Sequence, residues 1–251
     1  MLGFQPKLPV SVEQSGWVDG GFERLAQILG RERMLNAQVV LPNVECFPDP
    51  YNGTEMSLDL LFRRVCNYML FDPNRVELEV RADQIASLRN KTPFWQGKSS
   101  QPAGLYSSSP DKSRFVIAIG DSLLKDPLAV VATLAHELAH AILLGGKLID
   151  PSMEDMEPFT DLSTVYLGFG VFSANAAIRF EQHQDYGAQG WSVQRLGYLP
   201  QEVYGYALAK FALERGEGRP EWAKHLSTNV RAYFKRSHKW ISHAKNAPCA
   251  E

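Results

Sequence analysis

The stretch DPLAVVATLAHELAHAILLGG, residues 126–146, predicts one long helix in which a few polar side chains interrupt an apolar sequence. Asp126 is placed to cap its N-terminus, Pro127 suits the first helical position, and the pair Gly145-Gly146 ends it. The helix would run for about 27 Å and is apolar on nearly every side. We therefore expect it to lie at the centre of the fold.

Two histidines and a glutamate break the apolar surface of this helix. His136 and His140 are four residues apart, so their imidazoles project from adjacent turns toward one point. Glu137 points about 100° away from His136, which suits a general base rather than a ligand. Burial of these groups costs several kcal/mol unless they are paired or ligated. The segment HELAH therefore predicts a Zn²⁺ site with two histidine ligands.

The third ligand must come from outside HELAH, because a catalytic zinc commonly has three protein ligands and leaves one position to water. Metzincins continue as HExxHxxGxxH, but Leu143 stands where that glycine would be and Gly146 where the third histidine would be. The metzincin pattern is therefore excluded.

The downstream segment MEDMEPFTD, residues 153–161, holds Glu157 and Asp161 four residues apart at the start of the next predicted helix. A Glu-x-x-x-Asp one helix after HExxH resembles the gluzincin branch of zinc metallopeptidases. The resemblance implies that Glu157 is the third zinc ligand and that Asp161 orients a ligating histidine from behind. Pro158 confines Glu157 to the first turn of its helix. Glu154 and Asp161 stay open as alternative ligands.

A stabilising donor for the oxyanion of peptide hydrolysis would complete such a site. Several histidine and tyrosine side chains follow the second predicted helix, although aromatic residues at this density are more often core than catalytic. The candidates are His183, Tyr186, Tyr198, Tyr204 and Tyr206.

The rest of the sequence predicts an α+β fold. Segments 39–47, 76–80 and 114–120 are rich in β-branched residues, as strands are, and residues 96–113 have the composition of a loop or loose hairpin. Helical periodicity covers residues 18–34, 56–70, 127–144, 158–177, 200–215 and 220–237.

We predict one zincin-like domain over residues 1–251: a small sheet in an N-terminal α/β lobe of about 1–146, the central HELAH helix, and a mostly helical C-terminal lobe of about 147–251. In zincins the strand before the active-site helix often lies along the substrate cleft. The resemblance thus implies that a peptide could pair with the edge of the strand at 114–120. The alternative is an internal strand.

The charge balance and the cysteine content bear on which binding partners and which cellular compartment we expect. The 26 basic and 28 acidic side chains nearly cancel, so we expect no nucleic-acid partner, and the charged residues within 128–149 argue against a membrane span. Cys46, Cys66 and Cys249 are too few for a disulfide framework, and the N-terminus lacks a secretory signal pattern. These features favour the cytoplasm.

The function implied by the resemblance is that of a zinc metallopeptidase acting on a peptide or protein substrate, with Glu137 as general base. Two alternatives come from other classes. The chain could be a metal-binding regulatory or partner-binding domain without proteolytic activity, or an interaction protein in which the HELAH spacing is accidental.

Overall fold

The computed structural model describes residues 7–82, 104–108, 115–184 and 199–246, and over these residues the fold is mostly helical with one small sheet. The strands are β1 (Val76–Arg81), β2 (Gly104–Ser108) and β3 (Phe115–Gly120). The eight α-helices of this described part are α1 (Val12–Leu29), α2 (Arg31–Leu35), α3 (Glu55–Tyr68), α4 (Pro127–Gly145), α5 (Met156–Tyr166), α6 (Gly170–Gln184), α7 (Gln201–Glu214) and α8 (Thr228–Asn246).

The sheet has the strand order β1-β3-β2, with β3 parallel to β1 and antiparallel to β2. Phe115, Ile117 and Ile119 of β3 are fully buried, as a central strand with a continuous apolar sequence requires. The two strands predicted at 76–80 and 114–120 are confirmed. Because β3 is paired on both sides, the prediction of a free edge there is wrong, and the alternative of an internal strand is confirmed.

Helix α4 is built as its sequence predicts. The Asp126 side chain accepts hydrogen bonds from the backbone N–H groups of Leu128 and Ala129 at 3.2 and 3.3 Å, and Gly146 caps the other end. The helix packs against α3, β2 and β3. A Cβ on Gly145 would lie 2.4 Å from the ring of Phe115, so only glycine allows this close approach to the sheet.

Helix α4 is also the one helix in the described ranges that is long and apolar enough to cross a membrane. Within the protein, 72% of that apolar window is buried, so the fold itself accounts for its hydrophobicity. Its buried side chains include Glu137 and His140, which lie among leucine, valine and alanine. These polar groups need partners within the fold.

The strand predicted at 39–47 is wrong, whereas the hairpin predicted before β3 is present. Residues 39–47 form turns instead of a strand, because Pro42 cannot donate to a sheet and the Asn43 side chain closes a turn by accepting from Cys46 N–H at 2.9 Å. Within segment 96–113, predicted as a loop or loose hairpin, residues 104–108 form β2, which pairs antiparallel with β3, so the hairpin alternative is confirmed there. The remainder of segment 96–113 lies outside the described residues.

Helix boundaries depart from the periodic pattern at four places. The helix predicted over 18–34 is divided at Gly30 into α1 and α2, and the one predicted over 220–237 is a 3-10 turn at Glu221–His225 followed by α8 from Thr228. Helix α1 begins at Val12, earlier than expected, because Ser11 and Gln14 form a reciprocal capping box. The single helix predicted over 158–177 is divided into α5 and α6 at Gly168, which has φ +92° and whose Cβ would lie 2.2 Å from the Gln38 carbonyl oxygen.

The described chain divides into two compact units. The first contains residues 7–41, 162–184 and 199–246, and in it α7 packs against α1, α6 and α8. The second contains the described residues between 42 and 161, including the sheet, α3 and α4. These units do not coincide with the lobes expected from the sequence, since residues 7–41 group with C-terminal helices; that the chain forms a single domain stays a prediction.

Cys46 and Cys66 are both buried in the second unit, and neither forms a disulfide among the described residues. Burial raises the pKa of the Cys66 thiol to about 12, which keeps it protonated and unreactive. Cys66 is therefore not a candidate for nucleophilic chemistry.

Candidate metal centre

Three side chains from α4 and α5 converge on one point. The Nε2 atoms of His136 and His140 lie 3.1 Å apart, and the Oε2 atom of Glu157 lies 3.0 Å from the first and 3.2 Å from the second. The two imidazoles come from successive turns of α4, and the carboxylate comes from the first turn of α5, where Pro158 follows it. Within the described residues, this is the group of histidine, cysteine and acidic side chains that could hold a metal ion.

The geometry of the group fits zinc. Ligand atoms at about 2.0–2.1 Å from a tetrahedral Zn²⁺ are separated from each other by about 3.3 Å. The three observed separations, 3.0, 3.1 and 3.2 Å, are only slightly shorter. Two imidazole nitrogens and one carboxylate oxygen are also a donor set that zinc accepts. The residues can therefore hold this metal with little movement.

Asp161 lies behind His136, on the side away from the convergence point. Its Oδ1 atom is 2.8 Å from Nδ1 of the imidazole, and only 2% of its side chain is exposed. A carboxylate in this position accepts a hydrogen bond from the Nδ1–H group and leaves Nε2 directed at Glu157 and His140. The structure thus brings Glu157 and Asp161 to the two opposite sides of one histidine.

Thr160 is a neighbour of the site that the sequence predictions missed. Its Oγ1 atom lies 3.3 Å from Nδ1 of His140 and 2.9 Å from the backbone oxygen of Met156, and the residue is fully buried. Thr160 is three residues after Glu157, so both face α4 from the same side of α5. That spacing was the only signal in the sequence, and threonine is too common in buried helices to stand out.

Without a metal ion, the surroundings favour a protonated His136 imidazole next to an ionised Glu157 carboxylate. Burial by itself would lower the pKa of His136, but its hydrogen bonds with Asp161 and Glu157 raise that pKa well above its usual value. Burial likewise opposes ionisation of Glu157, yet hydrogen bonds from the two imidazoles hold the pKa of this carboxyl well below its usual range. The centre is therefore built to hold positive charge against a carboxylate.

Glu137 adds a second carboxyl group to this environment. Only 6% of the residue is exposed. Burial raises the pKa of Glu137, while the nearby imidazoles of His136 and His140 offset part of the increase. Glu157 is the most exposed member of the group, with 40% of its side chain accessible to solvent against 11% and 8% for the two histidines.

The other residues singled out in the sequence are not members of this group. Glu154 is exposed and is not one of its members. In the first unit, Tyr204 is fully buried and the Tyr206 hydroxyl donates to Asp19. Tyr186, Tyr198 and the side chain of His183 lie outside the described residues, so an oxyanion donor stays a prediction.

No known protein family, curated protein or solved structure matches this chain. The resemblance to gluzincins therefore rests on the residues of α4 and α5 and on their geometry.

Proposed function

We propose that this protein is a zinc-dependent hydrolase of the zincin type, most similar to gluzincins, that cleaves peptide bonds. The convergence of His136, His140 and Glu157 within 3.2 Å of one another carries the proposal. The buried Glu137, one residue after the first histidine, supports it further, because a metal centre without chemistry has no need of a fourth ionisable group.

In this proposal His136, His140 and Glu157 hold Zn²⁺, and Asp161 fixes the orientation of His136. Bound zinc supplies a Lewis acid that acidifies water and polarises a carbonyl group. The Glu137 carboxylate takes a proton from the attacking water and passes it to the leaving amine. Burial of Glu137 suits this role. It raises the pKa of the Glu137 carboxyl and so brings that pKa closer to the pKa of the water that Glu137 deprotonates.

The proposed substrate is a peptide or protein, and the proposed compartment is the cytoplasm. Peptide substrates are the class that the gluzincin resemblance implies. The near balance of 26 basic and 28 acidic side chains gives no reason to propose nucleic acid instead.

The substitution Glu137→Gln tests the proposal most directly. It keeps the size of the side chain and removes the base, so we expect hydrolysis of a quenched fluorescent peptide library to fall by about 10²–10⁴-fold. Zinc content, measured by elemental analysis, should stay at one equivalent. Glu154→Gln is the matched control, because Glu154 is exposed and outside the group.

Three outcomes would contradict separate parts of the proposal: the metal site, the peptidase activity and the role of Glu137. Wild-type protein that binds no zinc excludes the metal centre. Wild-type protein that binds zinc but cleaves no peptide favours the non-proteolytic, metal-binding alternative. Unchanged turnover in Glu137→Gln would leave the hydrolase standing but remove Glu137 as its base.

A further inference from the structure

We infer that Thr160 is a positioning residue for zinc: its hydroxyl holds His140 in the tautomer that leaves Nε2 free to bind the metal. The inference rests on the proposed zinc centre and adds to it a residue that acts through His140. It starts from the hydrogen bonds of one buried hydroxyl group.

A threonine hydroxyl has one proton to donate and two lone pairs to accept with. The Thr160 hydroxyl donates to the Met156 backbone oxygen at 2.9 Å, a back-bond to the preceding turn of α5. The His140 Nδ1 atom lies further away, at 3.3 Å. Because the single proton goes to the nearer carbonyl, the hydroxyl oxygen faces His140 as an acceptor.

An acceptor at this position requires a proton on Nδ1 of His140. Neutral imidazole carries its proton on one nitrogen only, so Nε2 then presents its lone pair. That lone pair points at the convergence point, 3.1 Å from the Nε2 atom of His136 and 3.2 Å from the Glu157 oxygen. Thr160 therefore selects the protonation pattern that metal binding needs.

The two histidines thus receive unequal support from α5. Asp161 holds His136 with a carboxylate at 2.8 Å, whereas Thr160 holds His140 with a neutral hydroxyl at 3.3 Å. Both supporting residues are buried, with Thr160 at 0% and Asp161 at 1% exposure, so water does not substitute for either. Residues 157–161 of α5 therefore provide the proposed ligand Glu157 and, for the Nδ1 atom of each imidazole, one hydrogen-bond partner.

The experiment measures the zinc dissociation constant of Thr160→Val by competition with a chromogenic chelator. Valine has nearly the shape of threonine but leaves the Nδ1–H group without its acceptor, so zinc affinity should fall by about 10–100-fold. Thr160→Ser should keep an affinity close to that of the wild type. Ring ¹⁵N shifts of His140 should show the Nδ1–H tautomer in wild type and Ser variant and a mixture in the Val variant.

Thr164→Val is the matched control, because Thr164 is also fully buried, lies one turn further along α5 and pairs with Ser173 at 2.7 Å. We expect it to bind zinc like the wild type. Equal zinc affinity in Thr160→Val and wild type overturns the role of Thr160 alone, as does an equal loss in Thr164→Val. Wild-type protein that binds no zinc overturns the inference together with the proposed function, whereas zinc binding without peptide cleavage leaves the inference intact.

Discussion

Each of the two units contains a cluster of polar and charged side chains, and the two clusters are organised differently. In the first unit the Asp19 network, consisting of Asp19, Tyr206, Lys210, Glu214 and Arg31, links three helices. In the second unit the candidate metal centre consists of His136, His140 and Glu157, with Asp161 and Thr160 behind the histidines.

In the Asp19 network, acidic and basic side chains alternate in the order Asp19, Lys210, Glu214 and Arg31. The Asp19 carboxylate accepts from the Tyr206 hydroxyl at 3.1 Å and lies 3.0 Å from the Lys210 ammonium group, which in turn lies 3.9 Å from Glu214. Every acceptor thus faces a donor of the protein itself. Burial and the adjacent Asp19 charge raise the pKa of Tyr206, which keeps its hydroxyl protonated as a donor.

In the candidate metal centre, by contrast, the Nε2 atoms of two histidines and a carboxylate oxygen of Glu157 converge on one point. When His140 is neutral with its proton on Nδ1, its Nε2 lone pair lies 3.2 Å from a Glu157 oxygen, and these two acceptors repel unless a proton or a metal ion lies between them. The comparison shows that clustering of charged residues does not by itself mark a functional site. Convergence of ligand atoms from rigid helices marks a group that could hold a metal ion, because one bound cation can neutralise their combined charge.

The strongest test of this contrast removes a converging atom. His140→Ala should weaken zinc binding by on the order of a thousandfold, because only two of three protein ligands remain. The measurement is chelator competition at fixed pH. Lys210→Ala, which removes a charge from the Asp19 network, should leave zinc affinity unchanged. Equal losses in both variants would show that zinc binding depends on overall stability rather than on this group.

Substitution of a carboxylate in each cluster sharpens the comparison. Asp161→Asn keeps the acceptor but removes its charge, so zinc affinity should fall by about 10–100-fold. Asp19→Asn makes the same chemical change in the other cluster and should have no effect on zinc affinity. A loss of affinity in Asp19→Asn of similar size would contradict the separation between the two clusters.

Added zinc should stabilise the folded protein, since the unfolded chain does not hold the three ligands together. At a free concentration of about 100 times the dissociation constant, the gain is about 2.7 kcal/mol, or about 5–10 °C in melting temperature for a chain of this size. Differential scanning calorimetry with and without zinc measures it. His140→Ala should show almost no shift, and an equal shift in that variant would indicate binding elsewhere.

The smallest effect is expected in the Asp19 network. Tyr206→Phe removes one hydrogen bond to a carboxylate whose side chain is 43% exposed, so we expect a loss of about 1 kcal/mol in the free energy of unfolding. That corresponds to about 2–4 °C in melting temperature. Peptide hydrolysis and zinc affinity should not change. Loss of hydrolysis in this variant would instead favour Tyr206 as the missing oxyanion donor.

The sequence predicted helix α4 and the two histidines of the candidate metal centre, and it left Glu157, Glu154 and Asp161 as possible third ligands. Asp126, Pro127 and Gly146 are local signals, and the spacing of His136 and His140 is fixed by the pitch of a helix. The resemblance to gluzincins then identified Glu157 and Asp161, and the structure brings both to His136. Local chemistry and helical periodicity act over a few residues, so they can be read without knowledge of the fold.

Tertiary structure decided what depends on distant partners. Segment 104–108 forms a strand by pairing with β3. The same pairing places β3 between β1 and β2, so that β3 is a central strand. Thr160 gains its contact with His140 only when α5 packs against α4. A sequence determines which groups a helix presents on each face, but packing between segments far apart in the chain determines which of those groups meet.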